Sequence, residues 1–223
     1  FGVVVIAWFY QRQPETLKPE YKIKFSSAIF FNGTKEFFKH KTAVAYTLVS
    51  GFITGSFMVY LSTAQQIFEH QYNMAEEFPI IFASLAIAIG LSTFLNSRVV
   101  VRFGMWKMAF YSVIAYVIIS ILYIVLYTSN NPSAVVLISF FAIQFFAIGF
   151  IFGNVRALAM QPLGHIAGIG AALNGFISTV MAVPIANYIG SFVKDSALPL
   201  FIGFSVFGFL SLLVFMQMKL AKS

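Results

Sequence analysis

Six long stretches of this chain contain no Asp, Glu, Lys or Arg: Thr42–Ala64, Phe78–Ser97, Met108–Ser129, Ala134–Val155, Ile166–Val193 and Ala197–Met218. Each is long enough to cross a bilayer, since a helix needs about 20 apolar residues to span roughly 30 Å of hydrocarbon. Inside hydrocarbon every backbone N–H and C=O must find its partner within the protein, which leaves helices and closed barrels as spanning structures. Barrel strands would alternate in character over about ten residues, and these stretches do not. The expectation is an all-α membrane protein with six full transmembrane helices, and with Gly2–Tyr10 as the end of one more.

The rest of the composition agrees with lipid as the solvent. Of 223 residues 60% are hydrophobic and 9% charged, with a mean hydropathy of +0.87, far from the balance of a water-soluble domain. The 28 Phe and 10 Tyr suit lipid-facing and interfacial surface. Absence of cysteine excludes a disulfide framework, a thiolate nucleophile and Cys-based metal or iron–sulfur centres. No cofactor is expected. The net charge of +7 and pI near 9.6 are read as topology signals rather than a nucleic-acid footprint.

Lys and Arg are retained on the cytoplasmic side of short loops, so their distribution orients the spans. Arg12, Lys18, Lys22, Lys24, Lys35, Lys39 and Lys41 precede the first full span. Arg98, Arg102 and Lys107 join the second to the third, Arg156 joins the fourth to the fifth, and Lys219 and Lys222 form the tail. The alternate connections hold Glu69, Glu76 and Glu77, then the neutral Thr128–Ser133, then Lys194 with Asp195, so cations divide thirteen to one. Both ends of the six-span bundle are expected to be cytoplasmic. Residues 1–10 then end a helix, 11–41 form a cytoplasmic loop, 42–218 form the bundle and 219–223 the tail. Arg12–Lys41 mixes charge with Phe25, Ile29, Phe30, Phe31, Phe37 and Phe38, and is either an amphipathic helix at the headgroups or a solvated linker. Trp8, Trp106, Tyr10, Tyr60, Tyr72 and Tyr127 fall near expected span ends and are read as interfacial anchors. The sequence opens at Phe1 inside an apolar run, without an initiator Met or signal-peptide pattern, and is read as a fragment.

Three patterns carry a resemblance to the major facilitator superfamily, and within it to the Bcr/CflA drug-resistance exporters. Trp8 followed by Pro14-Glu15-Thr16-Leu17 resembles the ending of that family's sixth helix. Asn96-Ser97-Arg98 with Arg102-Phe103-Gly104 is similar to the loop repeated in each half, although plain topology anchors would look the same. Gly153-Asn154, Ala157-Leu158-Ala159, Pro162, His165-Ile166-Ala167-Gly168 and Ala171-Ala172-Leu173-Asn174-Gly175 resemble a Bcr/CflA stretch. Arg156 departs from it, since that position is expected to be uncharged. The resemblance implies the C-terminal six-helix bundle of a major facilitator fold, spans seven to twelve. It also implies proton-driven export of small molecules across a bacterial inner membrane, with an N-terminal half, or a second copy of a half-size protein, as partner.

Several residues stand out as carriers of mechanism. Uncharged polar groups inside spans are candidates for a substrate cavity, because otherwise they would be unsatisfied in hydrocarbon. Gln144, Asn154 and Asn174 come first, with Tyr46, Ser50, Ser56, Ser84 and Ser178 behind them; interhelical hydrogen bonding is the alternative. Gly168, Ala172 and Gly175 lie near one helical face and serve either helix packing or a sliding contact between helices. Pro184 is expected to kink its span. Arg156 either reaches inward to a charge or anchors a helix end at the interface. His165 is read as a cap or surface residue. No carboxylate lies inside the six stretches, so proton-coupling groups would have to lie outside them. His40, His70 and His165 are widely spaced in loops, and no nucleophile–base pattern is present, so an enzyme is not expected. Transport of a sugar, osmolyte or other metabolite on the same fold stays open, as does a non-transporting half-size protein.

Overall fold

The computed structural model describes residues 2–14 and 26–220. Glu15, Thr16 and Leu17 of the first motif, together with Lys18, Lys22, Lys24, Phe25 and Lys222, lie outside the described residues. Two compact units are present, Phe1–Asn32 and Gly33–Ser223. The first holds α1 (Gly2–Arg12), with Trp8 exposed, and the opening of α2 (Ser27–Lys39).

The second unit carries the rest of α2 and six long helices: α3 (Lys41–Gln66), α4 (Phe78–Phe103), α5 (Met105–Tyr127), α6 (Ala134–Met160), α7 (Ala167–Gly190) and α8 (Leu198–Leu220). Among the described residues five continuous helical runs are long and apolar enough to cross a membrane, and one of them covers 57 residues. At about 1.5 Å per residue that run would be more than twice the thickness of a bilayer. It breaks at Gln161–Ile166, a 3₁₀ turn in which Leu163 leaves helical geometry (φ −109°, ψ 16°). The run is therefore α6 and α7, and the six expected spans are present. Among the described residues there is no strand.

The helices outrun the charge-free stretches at the cationic side. α4 was expected to end at Ser97 and continues to Phe103, taking Arg98 and Arg102 into the helix. α6 continues to Met160 past Arg156. Arginine is a good helix former and its long stem lets the guanidinium reach the interface while the backbone stays helical, so a charge marks the lipid boundary rather than the helix end. α4 gives way to α5 at Gly104 alone, with φ +82° and ψ 149°, a conformation that glycine adopts without steric cost. On the other side α3 continues into a π-helical turn, Ile67–Gln71, with Ile67 and Phe68 buried.

α3 packs against α6, α7 and α8; α6 packs against α4 and α5; α5 packs against α8. α3 and α6 thus form the centre of the bundle. α4 is the least embedded span, burying only Ile81, Leu85 and Ser92. The core between α5, α6 and α8 is aromatic, with Tyr123 stacked on Phe201 at 3.7 Å between ring centroids. Side chains tie the anionic-side connections together: Tyr72 Oη donates to the Pro132 carbonyl at 2.9 Å, and Asn131 Nδ2 donates to the Asp195 carbonyl at 2.8 Å.

Candidate functional site

Of the polar residues singled out inside the spans, Gln144, Asn154 and Asn174 hydrogen-bond to other helices. Gln144 of α6 is fully buried; its amide donates to Ser120 Oγ at 2.8 Å and to the Tyr116 carbonyl at 3.2 Å, both on α5. Asn154 of α6 donates to Asn96 Oδ1 of α4 at 2.7 Å and to its own helix at the Phe150 carbonyl. Asn174 of α7 donates to Thr47 Oγ1 of α3 at 2.7 Å. Ser56 is spent on the Phe52 carbonyl. Tyr46 and Ser50 on α3 and Ser178 on α7 are buried, with hydroxyls that find no partner among the described residues. Ser84 is exposed on α4 and bonds back to the Ile81 carbonyl. Satisfying an amide in hydrocarbon takes a partner on a neighbouring helix, and three of the five main helix seams that α3 and α6 make have one: α5–α6, α4–α6 and α3–α7.

Gly168, Ala172 and Gly175 do not pack inside this bundle. All three are exposed, and a Cβ at Gly168 or Gly175 would meet nothing within 4 Å. The stripe is therefore an open face of α7, pointing away from α3. Close packing is made instead by Gly149 of α6, where a Cβ would collide with Ser92 Oγ and lie 2.7 Å from the Ile89 carbonyl oxygen of α4. α7 runs through Pro184 without losing its helical assignment, and the proline ring is exposed. Arg156 is exposed with its guanidinium 5.8 Å from the Phe152 ring centroid. Arg98 lies over Phe94 at 4.9 Å and Arg102 over Phe103 at 5.4 Å. All three cations rest on apolar rings near helix ends, as interfacial arginines do.

A second surface was not anticipated. Between α3, α4 and α6 lies a small cleft of about 30 Å³ walled by Phe57, Tyr60, Phe82 and Phe145, with Leu61 and Phe82 at its exposed edge. Tyr60 packs edge-on to Phe145 at 4.6 Å and parallel to Phe82 at 6.1 Å, while Phe57 packs edge-on to Phe145 at 5.3 Å. Tyr60, read from the sequence as an interfacial anchor, is only 1% exposed, because α3 continues well beyond it. Its hydroxyl is buried without a partner among the described residues. The available signal was the spacing of Phe57 and Tyr60 (i, i+3) and of Phe78 and Phe82 (i, i+4), which places each pair on one helix face; a background of 28 Phe hides it. A larger groove of about 560 Å³ between α7 and α8, edged by Tyr188, Phe192 and Phe207, is lined by apolar side chains apart from the exposed Tyr188 phenol.

Comparison with known proteins agrees with this arrangement. The family model described as Major Facilitator Superfamily matches residues 1–186. Among curated proteins the chain is 25% identical over 193 residues to "Uncharacterized MFS-type transporter YdgK" of Bacillus subtilis (strain 168), an alignment covering 85% of this chain and 47% of that relative. The chain thus spans about half the length of the curated relative it matches. With an all-helical bundle of bilayer-spanning length and a family model matching most of its residues, this integral membrane chain belongs to the major facilitator superfamily.

Proposed function

We propose that the chain is the C-terminal half of a secondary active transporter that exports small, largely apolar molecules against a proton gradient, with the α3–α4–α6 aromatic cleft forming part of the substrate path. The observation that carries this reading is the family match over residues 1–186, joined to a relative whose printed name is that of a transporter. At about 30 Å³ the cleft has room for about one water in this structure, so this reading requires α3, α4 and α6 to part as substrate passes; Phe57, Phe82 and Phe145 would then offer apolar and π faces and the buried Tyr60 hydroxyl one polar handle. Substrates with aromatic or cationic character fit such walls.

The open stripe Gly168–Ala172–Gly175 on α7 fits close approach by a helix of the N-terminal half, since small residues let backbones meet in lipid. Asn96, Arg98, Arg102 and Gly104 make the tight cationic turn between α4 and α5. Gln144, Asn154 and Asn174 hold helix seams in this reading, Tyr46 and Ser50 are buried on α3 with idle hydroxyls, and Arg156 anchors the end of α6. The cation-rich side of the bundle faces the cytoplasm of a bacterial inner membrane. No carboxylate occurs within α3–α8, so the proton is carried by groups elsewhere in the complete protein.

The test is proton-gradient-dependent uptake of a fluorescent cationic dye by inverted vesicles containing the complete gene product. Tyr60→Ala and Phe82→Ala should each lower dye transport several-fold at normal protein levels, because an aromatic contact contributes about 0.5–1.5 kcal/mol. No dye movement by well-folded protein would defeat the export reading and turn attention to polar metabolites.

A further inference from the structure

α2 ends at Lys39 and α3 begins at Lys41, so His40 alone joins them. α3 spans the membrane, and a helix attached to it through a single residue ends at headgroup level. The second half of α2 is also keyed to the bundle. Gly33 lies so close to Ile169 of α7 that a Cβ would stand 2.5 Å from its Cδ1, and the fully buried Phe37 packs with Ala43, Leu163 and Leu173.

A different face of the same helix is uncovered. Phe38 is 57% exposed, and Phe31, seven residues earlier and so on the same side of the helix, is 73% exposed. Lys35 and Lys39 are exposed beside them. Glu36 accepts from Lys39 Nζ at 3.3 Å and lies 3.2 Å from His40 Nε2. The Lys39 hydrogen bond and charge, aided by His40, hold the Glu36 carboxyl below the usual carboxylate range. Lys35, Lys39 and Lys41 against this one ionised carboxylate leave the segment cationic. The exposed Phe38 ring, flanked by lysines at the level where a span begins, with Phe31 on the same helical face, matches the chemistry of a helix lying in the interface plane.

We propose that α2 binds the leaflet on the cation-bearing side of the membrane, its Phe31–Phe38 face entering the headgroup–acyl boundary and its lysines engaging anionic headgroups. Through Gly33 and Phe37 the same helix braces the 3₁₀ turn between α6 and α7, so lipid charge bears directly on the start of α7.

This chain contains no cysteine, so Phe31→Cys or Phe38→Cys supplies a single spin-label site once cysteines elsewhere in the complete protein are replaced. Both side chains are exposed, so neither change removes a buried contact. The labelled protein is reconstituted in phosphatidylcholine vesicles with and without phosphatidylglycerol, and collision with oxygen (lipid-soluble) is compared with collision with nickel-EDDA (water-soluble). The expected result is oxygen-favoured collision at both sites that strengthens with phosphatidylglycerol. Lys35→Gln should lower the ratio of inserted to detached label by about fivefold, the effect of one lysine at an anionic surface. Nickel-favoured collision would place the face in water, and low collision with both reagents would mean that protein covers it. Insertion indifferent to phosphatidylglycerol would remove the role of the lysines. Each of these three outcomes overturns the proposal.

Discussion

Replacing Gly149 by alanine tests the packing argument most directly. A Cβ there would sit 2.7 Å from the Ile89 carbonyl oxygen and would collide with Ser92 Oγ, which itself donates to that carbonyl at 2.9 Å. Ordinary contact begins near 3.4 Å, so the α4 backbone must retreat by about 0.7 Å from the carbonyl clash, and Ser92 must in addition give up its rotamer and its hydrogen bond. Overpacking of this kind costs about 1–3 kcal/mol, while alanine regains up to about 1 kcal/mol of helix propensity over glycine. The net expectation is a loss of about 1–2 kcal/mol. The loss should concentrate in α4, because that helix buries only Ile81, Leu85 and Ser92 and has no strong hydrophobic force holding it to its neighbours in lipid. Unfolding in mixed micelles by titration with sodium dodecyl sulfate would read the difference, with hydrogen exchange along α4 reporting its location. Ser92→Gly in the Gly149→Ala background should restore part of the loss by removing the side-chain clash while leaving the carbonyl one. A Gly149→Ala protein as stable as wild type, or a double variant no better than the single, would refute the close approach of α4 and α6.

Two further outcomes follow from the same geometry. In a double-mutant cycle, Asn96→Ala and Asn154→Ala should show coupling of about 0.6 kcal/mol, and not above about 1.7, the range found for hydrogen bonds between membrane helices; additive losses would mean that the 2.7 Å contact contributes nothing. Gly175→Leu should leave the unfolding of this bundle unchanged within about 0.5 kcal/mol, as expected at an open site, while abolishing dye transport by the complete protein; retained transport would show that no helix approaches that face.

The spans were legible in the sequence because lipid imposes one rule, a long run without charge, and each of α3 to α8 obeys it. Their ends were not legible. The rule reports where hydrocarbon stops, whereas the helix stops where backbone geometry fails: at Gly104 for α4 and at the 3₁₀ turn around Leu163 for α6. Arg98, Arg102 and Arg156 lie between these two limits, and for that reason charge alone assigns them to loops while the structure keeps them helical. The glycines show a similar limit. Gly168 and Gly175 stand in a visible run of small residues, yet nothing in this unit approaches them, while Gly149 sits among Phe, Ile and Ala and meets α4 at its tightest point.

The polar residues show why a candidate site is harder to read than a fold in a membrane chain. An Asn or Gln inside a span signals only that its amide must be satisfied, and a cavity full of water or a carbonyl on the next helix satisfies it equally well. Choosing between them requires knowing that Asn154 stands opposite Asn96, 58 residues away, and that Asn174 stands opposite Thr47, 127 residues away. Those pairings are products of the fold. The aromatic cleft carries the opposite ambiguity: Phe57, Phe82 and Phe145 are what a lipid-facing surface also displays, so composition cannot separate a substrate wall from a lipid contact. Tyr60 adds a polar group to those walls: like Tyr46, Tyr116 and Tyr123 it is a buried phenol whose hydroxyl has no partner among the described residues, and such a group costs about 1–3 kcal/mol. A cost of that size is retained most easily where the hydroxyl gains a partner in another state of the protein, and a bound solute passing α3 and α4 would be such a partner.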